Sequence, residues 1–159
     1  MKKITIESIQ KKKNRYPITC LTSYSKPVAE ILDKYCDIIL VGDSLGMVLY
    51  GMKSTREVTL DTMIAHAKSV CLGTKRSLVV VDMPFKTYSN KLVAYKNAKK
   101  IMKITNCDAV KLEGGKNIEG IVSYLVSKGI PVMGHIGLLP QYASRFKTKG
   151  KTNFEKRQI

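Results

Sequence analysis

DIILVGDS (37–44), SLVVVDMP (77–84), AVKLEGG (109–115) and PVMGHIGL (131–138) are four short apolar runs. Each closes on a group able to bind a metal or move a proton. The closing residues are Asp43, Asp82, Glu113 and His135, separated by 39, 31 and 22 residues. Apolar runs of this length, rich in Val, Ile and Leu, read as strands buried on both faces. One strand–helix unit of an eight-fold barrel takes roughly 31 residues, the usual ~250 divided by eight. The spacing predicts parallel strands whose C-terminal ends converge on one mouth, where such barrels carry out chemistry.

The intervening segments have helical period and end signals. Residues 25–36 place Val28, Ile31, Leu32 and Tyr35 at i, i+3, i+4 and i+7, with Pro27 in the first turn. Residues 59–73 predict a helix capped by Thr59, with Met63, Ile64, Ala67, Val70 and Cys71 buried and Gly73 at its end. Residues 89–104, capped by Ser89 or Asn90, put Leu92, Tyr95, Ala98, Ile101 and Met102 on one side. Residues 117–129 place Ile118, Ile121, Val122, Leu125 and Val126 together before Gly129 and Pro131. With an earlier run at 17–24 (PITCLTSY), the order is β-α-β-α-β-α-β-α-β. That alternation predicts an α/β fold with right-handed parallel crossovers. A doubly wound open sheet has the same alternation, but usually carries a glycine-rich phosphate turn that LTSYSKP lacks. The expected fold is therefore a (β/α)8 TIM barrel, incomplete at about its first five strands. Residues 1–159 are read as one domain that stops in or after the loop following the fifth strand. The segment after Pro140 reads as a loop, with a helix beginning near Asn153.

Composition narrows the function classes. With 28 Lys and Arg against 12 Asp and Glu, the net charge is +16. Only Arg15, Arg56, Arg76, Arg145 and Arg157 are arginines, whereas phosphate and base recognition favours the planar guanidinium. A solvated lysine surface explains the charge better than a nucleic-acid function, with Lys11–Lys13 and Arg145–Lys151 as the exceptions. No run approaches the ~20 apolar residues of a membrane span. MKKITIESIQKKK lacks the apolar core of a secretory signal. Cys20, Cys36, Cys71 and Cys107 form no CxxC pair and read as buried, reduced thiols of a cytoplasmic protein.

Asp43, Asp82 and Glu113 are hard oxygen donors, which suit Mg2+ or Mn2+ rather than zinc. Three carboxylates at one strand end repel one another unless a cation or a proton intervenes. Each could instead cap the helix after it. Lys111, two residues before Glu113, faces the same side of a strand and could hold a substrate carboxylate. It could equally extend to the surface. His135 lies among small residues that permit close approach, though it could instead be a satisfied core histidine, and Gly114–Gly115 could cradle an anion. His66, in IAHAK, is expected to have no polar companions and no role.

At TSY (22–24), VGDSLGMVLYG (41–51), VVVDMPF (79–85), VKLEGG (110–115) and GHIGLLPQ (134–141) the chain resembles the ketopantoate hydroxymethyltransferase family. The resemblance runs from Thr5 to about Lys151. It implies transfer of a hydroxymethyl group from 5,10-methylenetetrahydrofolate to 3-methyl-2-oxobutanoate, giving 2-dehydropantoate through a Mg2+-stabilised enolate. It implies Asp43, Asp82 and Glu113 at the metal, and Tyr24, Asp43, Ser44, Asp82, Lys111 and His135 at the 2-oxo acid. Lys111 and His135 are the catalytic candidates. It also implies a cytoplasmic homo-oligomer of pantothenate and coenzyme A synthesis. Ser25 stands where the family usually has Asp. The family's proton-accepting glutamate lies on a later strand and is not among these residues, so the chain alone is expected to be poorly active. Two rival readings are a non-catalytic basic fragment that binds RNA and a related metal-dependent oxo-acid lyase.

Overall fold

The computed structural model describes residues 2–143, 148 and 150–158. In chain order the elements are α1 (Ile6–Lys12), β1 (Cys20–Thr22), α2 (Lys26–Leu32), β2 (Ile38–Val41), α3 (Leu45–Tyr50), α4 (Leu60–Gly73), β3 (Leu78–Asp82), α5 (Lys91–Thr105), β4 (Ala109–Glu113), α6 (Glu119–Ser127), β5 (Val132–His135) and α7 (Asn153–Gln158). Short 3-10 turns at Thr55–Glu57 and Gly115–Ile118 precede α4 and α6.

All strand pairs are parallel, and the sheet order is β1-β2-β3-β4-β5. Strictly sequential order excludes the doubly wound alternative, whose strand order reverses at a switch point. The two faces of the sheet have different fates. Ile39, Val41, Val79, Val81, Val110 and Leu112 point outward into one core with Ala67 and Val70 of α4, Ala98 and Ile101 of α5, and Leu125 of α6. Ile38, Leu78, Val80 and Ala109 point the other way, where Ile6 and Ile9 of α1 pack across them. Helices on one face and a second apolar layer inside make this the first five strands of a (β/α)8 barrel.

Local signals position the helices much as their sequences predict. The Thr59 hydroxyl accepts from the Thr62 N–H at 3.1 Å, and the Asn90 side chain accepts from the Val93 N–H at 3.0 Å. Several predicted faces rotate, however. Val28, Ile31 and Tyr35 are exposed, and α2 instead buries Ala29 and packs Leu32. Leu92 and Val126 are exposed too, while α5 buries Ala94, Ala98 and Ile101. The small residues win because α2 and α5 lie close against α4. Cys36 and Cys107 are buried as expected, whereas Cys20 is exposed on the outermost strand. No helix among the described residues is long and apolar enough to cross a membrane. The basic stretch Arg145–Lys151 falls largely outside the described residues.

Gly73 shows how close that α2–α4 approach is. A Cβ there would lie 2.5 Å from the Lys26 carbonyl oxygen. Gly73→Ala gains about 0.5–1 kcal/mol of helix propensity but forces backbone apart, which typically costs about 1–3 kcal/mol. A net loss of stability is expected in a denaturant melt, with no change at the C-terminal ends of the strands.

Candidate functional site

Strand alternation and register assemble the site. Asp82 at the end of β3 pairs with Lys111 of β4, and Glu113 of β4 pairs with His135 of β5. All four lie on the inner face above Val80, Ala109 and Met133. The Lys111 ammonium meets Asp82 Oδ1 at 2.6 Å, with both side chains nearly buried. Asp82 Oδ2 accepts the Asp43 main-chain N–H at 3.2 Å, which draws the loop after β2 over the mouth. Tyr24 and Ser44 hydroxyls meet at 2.8 Å beside it. His135 Nδ1 sits 3.3 Å from Glu113 Oε1 but lacks the alignment of a hydrogen bond. The structure thus brings Tyr24, Asp43, Ser44, Asp82, Lys111, Glu113 and His135 to one end of the sheet.

Asp43, Asp82 and Glu113 are all buried. Burial, then the Asp82 carboxylate, with Glu113 adding to it, push the Asp43 carboxyl up to about 7 against a hydrogen bond from Gln141. Burial also raises Asp82, although the Lys111 ammonium and the Asp43 N–H favour its charged form. Lys111 gives Asp82 a counter-charge, whereas Asp43, buried and crowded by the other carboxylates, has no ion-pair partner among the described residues, a deficit of positive charge.

Hard oxygen donors with that deficit fit Mg2+ in chemistry. Among the described residues, no group of three His, Cys, Asp or Glu is arranged to hold a metal ion. The spaces between the carboxylates are taken by Lys111 and by Gln141. Mg2+ needs only one or two carboxylates when water and substrate complete its shell. Asp43 and Asp82 are the pair that fits, with Glu113 reached across Gln141.

Sequence reasoning passed over Gln141. It is buried, its side-chain N–H groups donate to Asp43 Oδ2 at 2.7 Å and to the Met83 carbonyl at 2.9 Å, and the Tyr88 hydroxyl donates to its Oε1. Its main-chain N–H donates to Glu113 Oε2 at 3.1 Å, and Arg56 Nε donates to its carbonyl at 2.6 Å. The signal was present in the GHIGLLPQ run, but nothing local says that the loop folds back. His66 also departs from expectation. Its Nδ1 lies 2.7 Å from the Tyr24 carbonyl and its Nε2 lies 2.8 Å from the Tyr50 hydroxyl. A carbonyl only accepts, so Nδ1 carries the proton. His66 therefore ties α4 to the loop that carries Tyr24.

Fold and site together define a (β/α)-barrel protein with an acidic, lysine-bearing mouth at the strand C-termini. Residues 3–159 match the ketopantoate hydroxymethyltransferase family, and the chain belongs to that family. It is 57% identical over 149 residues to the 3-methyl-2-oxobutanoate hydroxymethyltransferase of Pelagibacter ubique, covering 94% of this chain and 58% of that protein. Its identity to the Anaplasma marginale (strain Florida) protein of the same name is 52% over 159 residues, covering 98% and 57% respectively. The chain thus spans somewhat under three-fifths of the length of these relatives. Among solved structures it resembles phosphonopyruvate hydrolase in complex with oxalate and Mg2+ (TM-score 0.62, 9% identity, covering 75% of this chain and 47% of that one). It also resembles 2,3-dimethylmalate lyase, a PEP mutase/isocitrate lyase superfamily member (TM-score 0.59, 16% identity, covering 80% and 51%). At such identities the likeness is one of fold.

Proposed function

We propose that the protein carrying these residues transfers a hydroxymethyl group from 5,10-methylenetetrahydrofolate to C3 of 3-methyl-2-oxobutanoate. Water supplies the oxygen, and the products are 2-dehydropantoate and tetrahydrofolate. The observation that carries this reading is the buried Asp82–Lys111 pair beside Asp43, on the inner face of a barrel mouth in a member of this family. When bound at Asp43 and Asp82, Mg2+ would supply a Lewis acid toward the 2-oxo acid, making its C3–H more acidic. Lys111 offers positive charge to the oxygen that becomes negative as that proton leaves. The Tyr24 and Ser44 hydroxyls orient the acid, and His135 lies beside Glu113 at the rim. The resemblance assigns proton removal to a glutamate that is not among these 159 residues. We also read the protein as a cytoplasmic homo-oligomer of pantothenate and coenzyme A synthesis. Family membership favours neither the RNA-binding nor the lyase reading.

Calorimetric titration of 3-methyl-2-oxobutanoate with and without Mg2+ tests the site. Saturable binding that requires Mg2+ is expected. Binding indifferent to Mg2+, or no binding, would sink the reading.

A further inference from the structure

Every polar group of Gln141 is engaged. A primary amide has two N–H donors, and both are used, one on Asp43 Oδ2 and one on the Met83 carbonyl. The amide oxygen takes the Tyr88 hydroxyl, the main-chain N–H takes Glu113, and the main-chain carbonyl takes Arg56. One residue thus hydrogen-bonds two of the three mouth carboxylates and fixes the loop that follows β5. Its amide also competes for Asp43 Oδ2, occupying one of the lone pairs that a cation on that oxygen would use.

We propose that Gln141 is a displaceable plug of the cation site, holding Asp43 Oδ2 until a divalent ion takes that oxygen and frees the loop after β5. The inference rests on the Mg2+ reading above. It makes Gln141 a positioning residue, acting on the cation through Asp43 rather than on substrate.

Mn2+ binding measured by electron paramagnetic resonance on the wild type, Gln141→Met and Asp43→Asn, with thermal melts, tests it. Methionine keeps the volume and removes the competing amide. Gln141→Met is expected to bind Mn2+ about tenfold more tightly, the scale of one hydrogen bond to a charged group, while melting at a lower temperature. A purely structural role would weaken both together. Unchanged or weaker Mn2+ affinity in Gln141→Met overturns the plug. If that variant does not fold, the side-chain amide signals of wild-type Gln141 during Mg2+ titration decide instead. Their movement to solvent-like positions supports the plug, and their staying fixed at saturation overturns it. A wild type that binds no Mn2+ sinks the metal reading itself, a result distinct from Mn2+ binding that ignores Gln141.

Discussion

Asp82→Ala is expected to remove Mg2+-dependent binding of 3-methyl-2-oxobutanoate and to cost about 3–5 kcal/mol of stability, because it strands a buried charge. The carboxylate is the partner of the nearly buried Lys111 ammonium at 2.6 Å and accepts the Asp43 N–H. Removing it leaves both donors without their acceptor. The two losses can be separated by adding Lys111→Met. A buried pair replaced by apolar side chains is often close to neutral, so the double variant should regain most of the stability in a urea melt. Binding should stay lost in both. If Asp82→Ala alone retained its Mg2+-dependent affinity, Asp82 would have no place in the ligand site.

Asp43→Asn should act in the opposite direction on stability. An unfolded aspartate titrates near 3.8, and Asp43 in the fold near 7. Between those values the folded protein holds a proton that the unfolded chain has released. Stability therefore falls as pH rises from about 4 to about 7 and is flat above that. At pH 8 the charged, crowded carboxyl costs up to about 4 kcal/mol. Asparagine removes the charge, and its carbonyl can still accept from Gln141. A gain of about 1–3 kcal/mol at pH 8 is expected, with the slope between pH 4 and 7 reduced to what the raised Asp82 contributes and Mg2+ affinity sharply reduced. Asp33 and Asp37 contribute on the acid side. Burial raises both, but hydrogen bonds to Asp33 from Ser77, Lys75 and Arg76, and to Asp37 from Lys12 and Thr19, leave them below the usual value. Their contribution is lost only as pH falls below about 4, so the two effects occupy separate windows. A pH–stability profile of Asp43→Asn parallel to that of the wild type would refute the assignment.

The strand ends were legible because alternation and parallel order are local properties. Asp82, Lys111, Glu113 and His135 follow from period two and from one sheet end serving as the mouth. The outer layer was less legible. Val28, Ile31 and Tyr35 carry the stronger helical period, yet α2 turns Ala29 inward, because interhelical distance is set by both partners and Gly73 admits a close one. Helix α3 was invisible: VGDSLGMVLYG is apolar throughout its helical part, and a six-residue helix has too few turns to show a stripe. Gln141 and His66 were missed for a different reason. Their importance comes from contacts across the chain, 98 residues from Gln141 to Asp43 and 42 from His66 to Tyr24, and no window on the sequence contains both ends.

The cross-strand matches Asp82–Lys111 and Glu113–His135 also bear on how the chain finds its shape. In a pleated sheet, a slip of one residue exchanges the faces. If β4 slipped once against β3, Lys111 and Glu113 would enter the helix-packed layer occupied by Val110 and Leu112, where an unpaired charge has neither water nor a counter-ion. Apolar residues alone would resist that error weakly, since Val110, Leu112 and Ala109 fit either layer. The charged set penalises misregistered intermediates, so the groups gathered at the mouth also proofread assembly.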